Sequence, residues 1–261
     1  MLVTLAPNEV SYRIQPPVGR TSKATAVLGC VAEDPAMPWA AACNALAGAM
    51  AEGMQRRMRI SVVLSDRLVR YLVLPWRAGV VSRAEWRAYA LHSFESVYGA
   101  DCRDWRLRID LVPPGRPSLA CAIDAGLIEA LRKIAGDNAS RLIAVRPNFI
   151  SLFNQRRAAL RGSPLWFAAV EERSVCMGVL SDGVWRAMRN ESAPDGWLAA
   201  LPGMVGRMQF MADGLNDGTL YVHVENGCAE VPASIGGLQV RLLDAPVHRR
   251  LQPDSGALAE A

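Results

Sequence analysis

The residues whose types could carry chemistry are few and far apart. Of the three histidines, His92, His223 and His248, none lies at metal-ligand spacing from another or from a carboxylate cluster. His92 shares a helical stretch with Glu95, which predicts an exposed helix position. His223 alternates with apolar neighbours, which predicts a partly buried strand position. Glu171-Glu172 is an adjacent carboxylate pair of the kind that could act as acid and base. Neighbours on a strand point to opposite faces, so the two cannot share a reacting atom, and a solvated turn is expected instead. Neither G-x-x-x-x-G-K-[ST] nor G-x-G-x-x-G occurs, and Gly126/Gly136, Gly203/Gly206 and Gly236/Gly237 suit helix ends and turns rather than a phosphate cradle. The expectation is therefore no catalytic site, no cofactor site, no metal site and no enzyme.

Cys30, Cys43, Cys102, Cys121, Cys176 and Cys228 stand singly in apolar surroundings, with no C-x-x-C pair. The start Met1-Leu-Val-Thr-Leu-Ala-Pro lacks the basic and long apolar regions of a signal peptide, so buried thiols in a reducing cytoplasm are expected. The Ala-rich stretch 35–51 is too short to span a bilayer, which needs ~20 apolar residues. With 261 residues, 51% of them hydrophobic and 21% charged, the chain is composed to bury a core. The 29 basic residues are almost all arginine, and the 25 acids are interspersed among them. No run of one sign marks a nucleic-acid or membrane patch.

Strands are expected at 2–5, 10–14, 25–31, 60–64, 68–74, 105–112, 119–123 and 142–145, from alternating or short apolar runs bounded by turn residues. Helices are expected at 39–58, after Ser82-Arg-Ala-Glu85 to Tyr98, at 126–135 and at 148–160. Ser82 and Glu85 have capping-box spacing, and Trp86, Tyr89, Ala90, Phe94 and Val97 fall on one helical face. The order then repeats: strands at 165–170, 175–180 and 184–189, the last two joined by Ser181-Asp182-Gly183, a helix at 197–211, and strands at 220–224 and 238–243. Trp39-Ala-Ala-Ala and Trp197-Leu-Ala-Ala each open a helix that follows three strands, which suggests a duplication. The division expected is a first domain over 1–160 with an inserted subdomain at about 76–115, a smaller second domain over 161–250, and a flexible tail over 251–261.

Between 70 and 105, Tyr71, Trp76, Trp86, Tyr89 and Trp105 alternate with arginines such as Arg70. This composition suits a protein-binding surface, a platform for single-stranded nucleic acid, or a packed core with an arginine-coated exterior.

Ile60-Ser-Val-Val-Leu-Ser-Asp-Arg-Leu-Val-Arg-Tyr-Leu-Val-Leu-Pro-Trp76, the helix after Glu85, and Ser181-Asp-Gly-Val-Trp-Arg-Ala-Met-Arg189 resemble the PilM-like proteins of type IV pilus assembly and the cytoplasmic part of GspL-like type II secretion proteins. The resemblance runs through 118–131, 142–160 and Leu165-Trp-Phe-Ala-Ala-Val-Glu-Glu. It implies an α/β, actin-like fold: two ribonuclease-H-like domains with mixed sheets covered by helices. ATP-binding members of the family carry Asp-x-Gly in the first hairpin of each domain. Here the matching turns are Leu5-Ala-Pro-Asn-Glu9 and Ala169-Val-Glu-Glu-Arg173, without glycine. Such turns offer a phosphate little backbone, so a scaffold without nucleotide chemistry is expected. The resemblance implies a cytoplasmic protein recruited to the inner membrane face by a PilN-like membrane partner. Arg70, Tyr71, Trp76, Trp86, Tyr89 and Trp105 are the expected docking residues, with no nucleic-acid partner. An actin-like ATPase and a single-stranded nucleic-acid binder are the alternatives.

Overall fold

A computed structural model of the chain describes residues 1–14, 25–52, 57–224 and 231–243. The expected tail at 251–261, together with His248 and Cys228, lies outside the described residues. The first sheet is built on β1 (Leu2–Ala6), which pairs antiparallel with β2 (Glu9–Arg13), and β2 in turn with β3 (Ala26–Gly29). After α1 (Ala40–Ala51), β4 (Arg59–Leu64) returns parallel to β1. The helix expected over 39–58 is thus shorter than its apolar pattern suggested. It caps at Glu52, and Arg57 has φ 67°, a left-handed value no helix continues through.

The chain then leaves this sheet to form a second one from β5 (Val69–Leu74), α2 (Arg83–Tyr98), β6 (Trp105–Asp110) and β7 (Ser118–Asp124), in strand order β5-β7-β6 and all antiparallel. The capping box forms as its spacing predicted: the Glu85 amide donates to Ser82 Oγ at 3.1 Å, and the Ser82 amide to Glu85 Oε2 at 2.8 Å. Trp86, Ala90 and Phe94 face the sheet at helical spacing, whereas Val97 is exposed. Asp124 then caps α3 (Ala125–Asp137) by accepting from the Gly126 amide. Next, β8 (Arg141–Pro147) completes the first sheet beside β4, in the order β3-β2-β1-β4-β8.

From β8 the chain runs directly into α4 (Asn148–Arg156) and then into the third sheet. This consists of β9 (Leu165–Glu171), β10 (Ser174–Ser181), β11 (Val184–Ser192), α5 (Trp197–Met211), β12 (Thr219–Val224), β13 (Ser234–Ile235) and β14 (Leu238–Leu243). Its order is β11-β10-β9-β12-β14-β13. The β10–β11 hairpin turns at Asp182 and Gly183, whose φ values of 54° and 77° are those the Asp-Gly pair was expected to supply. Three antiparallel strands, a helix, and parallel fourth and fifth strands describe both large sheets, and β1 and β9 hold the same central place in each. The duplication read from the two Trp-Ala helix starts is real. Such doubling is the ribonuclease-H-like pair expected.

One face of β9 (Trp166, Ala168, Val170) packs under α5, while the other (Leu165, Phe167, Ala169) joins the core shared with the first sheet. That is why β9 reads as an unbroken apolar run rather than an alternating one. Phe149 and Phe153 of α4 meet Phe167 edge-on, with centroids 5.1 and 5.6 Å away, so α4 is the apolar hinge pin between the two sheets.

Candidate functional site

The ends of β4 and β9 meet at the seam between the two large sheets, and the polar groups there form a closed network. Glu171, the last residue of β9, accepts from the Asp66 amide and Asn148 Nδ2, each at 3.0 Å, and from the Ser65 hydroxyl. Asp66 is fully buried, and the Phe149 amide donates to both its oxygens, at 3.1 and 2.8 Å. The Tyr71 hydroxyl donates to Asp66 Oδ1, and Asn190 Nδ2, from β11, donates to the Asp66 carbonyl. Five elements therefore contribute to one cluster.

Burial, and then the nearby Glu171 carboxyl, push the Asp66 carboxyl well above its usual range, outweighing the Tyr71 hydroxyl and the Phe149 amide. Burial, followed by Asp66, likewise raises the Tyr71 phenol. The Cys176 thiol, fully buried against the same pair, is pushed far up and is chemically quiet. A buried carboxyl that accepts from three directions, a phenol and a thiol, the last two pushed up by burial, form a structural latch with no activated nucleophile among those three.

Glu171 is where the sequence reading fails: it is not in a solvated turn. The geometric argument about the pair does hold, because Glu171 turns into the seam while Glu172 is exposed. Nothing next to Glu171 in sequence betrays its role, since its seam partners Asn148, Asp66 and Ser65 are 23, 105 and 106 residues away. A usable signal was the duplication itself, which aligns the end of β4, with Ser65 and Asp66, opposite the end of β9.

The two hairpin turns that matched the family's phosphate loops lie at Pro7-Asn8 and Glu172-Arg173. The first is already engaged: the Asn8 carbonyl accepts from the Cys30 amide at 2.9 Å, and Asn8 Oδ1 from the Ala32 amide at 3.2 Å. Pro7 has no amide hydrogen to offer. Among the described residues, no group of three His, Cys, Asp or Glu side chains could hold a metal ion.

The six residues expected to dock a partner are scattered. Tyr71 belongs to the seam, and Trp86, on α2, is buried against the three-stranded sheet with its edge on Tyr89. Trp105 is half-buried and meets Phe94 edge-on at 6.3 Å. These three rings are therefore packing residues, because alternation along β5 and β6 and i, i+4 spacing along α2 turn them inward. Arg70 is half-buried and donates to the carbonyls of Arg67 and Val69 at 3.0 and 3.3 Å. Trp76 is 41% exposed, and half-buried Tyr89 carries the Arg77 guanidinium 4.9 Å above its ring. His92 is exposed as expected, whereas His223 is fully rather than partly buried.

Two sheets of one topology, joined by a shared core and a seam, define the actin-like fold. Within that fold the chain resembles the PilM and GspL-like proteins. A chain of the PilM–PilN type IV pilus biogenesis complex superposes with a TM-score of 0.61 at 12% identity, covering 93% of this chain and 87% of that one. The cytoplasmic domain of EpsL, an inner membrane component of the type II secretion system of Vibrio cholerae, gives 0.59 at 10% identity, covering 94% and 89%. A protein of actin-like ATPase fold and unknown function from Bacteroides thetaiotaomicron gives 0.56 at 8% identity, covering 88% and 83%. No family model and no curated protein matches the sequence. Among the described residues, no helix is long and apolar enough to cross a membrane.

Proposed function

We propose that this protein is a non-catalytic, actin-like scaffold of a pilus or secretion assembly platform, recruited to a membrane by the cytoplasmic segment of a partner. The observation that carries the reading is the seam. Where an actin-like nucleotide protein keeps a cleft, Ser65, Asp66, Asn148, Glu171 and Asn190 bond to one another. Nucleotide entry would require breaking these bonds and uncovering the buried Asp66 carboxyl. The fold shared with a chain of the PilM–PilN complex and with cytoplasmic EpsL supports the assembly role. The division at residue 160, with an inserted unit around α2, belongs to the same proposal.

The exposed Trp76 and the Arg77-covered Tyr89, at the opening of α2, are the docking surface we assign to the partner segment, with Arg70 the remaining polar candidate beside β5. The decisive measurement is thermal unfolding with and without Mg-ATP. A ligand at 100 times its dissociation constant raises stability by about 2.7 kcal/mol, so an unchanged melting temperature is expected and a clear rise overturns the scaffold reading. Trp76→Ala should leave melting unchanged yet weaken capture of a PilN-like cytoplasmic peptide by tenfold or more, ~1.4 kcal/mol.

A further inference from the structure

The outward face of α5 is wrong for a surface helix. Ala199, Pro202, Gly203, Gly206, Arg207 and Phe210 point to solvent, and only Arg207 among them is polar. Phe210 is 89% exposed and the adjacent Met211 44%. Beside them a shallow groove of about 480 Å³ is lined by Gly203, Gly206, Phe210 and Met211, with Arg189 and Arg207 along its edge. Isolated exposed apolar residues are ordinary, but a helix face this empty of polar groups calls for a cover.

We infer that this face is a homodimer contact, in which α5 packs antiparallel against α5 of a second copy of the chain. The first argument is shape. Gly203 and Phe210 are seven residues apart, almost two turns, so they lie on one stripe with Gly206 between them. A two-fold axis between Gly206 and Arg207 places each Phe210 over the other copy's Gly203, and the missing side chain at Gly206 lets the helices approach. Knob and hollow thus sit on the same surface, as a two-fold contact requires.

Charge makes the second argument. Glu191 accepts from Arg207 Nε at 3.0 Å and also pairs with Arg189, so the groove edge carries both signs rather than one. Across a two-fold axis, each Glu191 can be shared with the opposite Arg207, whereas a face of one sign would repel its own copy.

Two crossing helices bury less than the ~1,200 Å² of a small stable interface, so association in the micromolar range follows. Sedimentation equilibrium of the full chain from about 1 to 200 µM tests it. A dimer fraction that rises with concentration is expected, and Phe210→Glu and Gly206→Leu should each weaken it at least tenfold. Gly206→Leu separates contact from folding, because a Cβ there meets nothing within 4 Å in its own chain. Its melting temperature should not fall. A monomer throughout the range overturns the inference, as does a dimer that persists in both variants. A monomer that instead sediments with anionic lipid vesicles through Phe210 would identify a lipid cover and also overturn it.

Discussion

The helix that follows the third strand in each half has two different fates. In the first half, α1 presents Leu46 and Met50 to the sheet and has α3 packed on it, which leaves little more than Asn44, Gly48 and Ala51 exposed. In the second, α5 presents Leu201, Met204, Val205 and Met208 inward with equal success, and its other side remains bare. Duplicating a sheet and its first helix fixes the inward contacts, because these depend on the strands beneath. It does not fix what lies outside, which depends on the connection after the fourth strand. In the first half that connection carries a whole extra sheet and α3.

The strongest challenge to treating the halves as one body is to cut the seam. Glu171→Ala leaves the Asp66 amide, Asn148 and the Ser65 hydroxyl without their acceptor, which should cost about 3 kcal/mol. Asp66→Asn sets an amide donor among the Phe149 amide and the Tyr71 hydroxyl, which both donate to this side chain, and should cost about 2 kcal/mol. Urea unfolding decides it: two transitions in wild type, or no loss in either variant, would mean the halves do not depend on this latch.

Acid should loosen the second half first. Burial, and then the charge of Arg156, lower His223 from its ordinary value to about 4. The unfolded chain therefore takes up a proton more readily than the native one. Stability is complete above about 6.5 and is lost as pH falls from there towards 4, by about 2 kcal/mol after allowance for solvent screening. Denaturation midpoints at pH 7 and 4.5 should differ accordingly, and His223→Gln should flatten the difference; an unchanged slope in that variant would place the acid sensitivity elsewhere.

The smallest effect compares the two helices directly. A Cβ at Gly48 of α1 or at Gly206 of α5 meets nothing within 4 Å. Alanine at either should therefore raise stability by roughly 0.5–1 kcal/mol in dilute solution. Unequal gains would show that the two positions are not equivalent even before any partner is present.

Much of this architecture was legible because it is written locally. Ser82 and Glu85 announced the start of α2, Asp182-Gly183 the β10–β11 turn, and the unbroken apolar run from Leu165 to Val170 a strand buried on both faces. The family likeness carried by residues 60–76 and 181–189 pointed to the correct fold. What escaped were properties of pairs distant in the chain. Glu171 reads as a turn residue until Ser65 and Asp66 are beside it. Tyr71, Trp86 and Trp105 read as hot-spot residues until α2 and the seam close over them. Residue type alone cannot separate an aromatic that binds from one that packs, since both uses reward the same large apolar surface. The α1 boundary failed for another reason: Met54 and Met58 carry a helical apolar spacing past Ala51, although the helix already caps at Glu52 and Arg57 takes a left-handed backbone angle.

The placement of the three-stranded sheet has a consequence for how the chain comes together. β4 and β8 are hydrogen-bonded neighbours, yet everything from Ser65 to Ser140 is threaded between them. Joining the ends of a long loop is not much harder than joining those of a short one, because each doubling of length adds only about 0.6 kcal/mol. β5, β6 and β7 pair with one another and need no strand from outside. The excursion can thus assemble as a local unit while β8 waits to be made, and its length can drift over generations without undoing the sheet on either side.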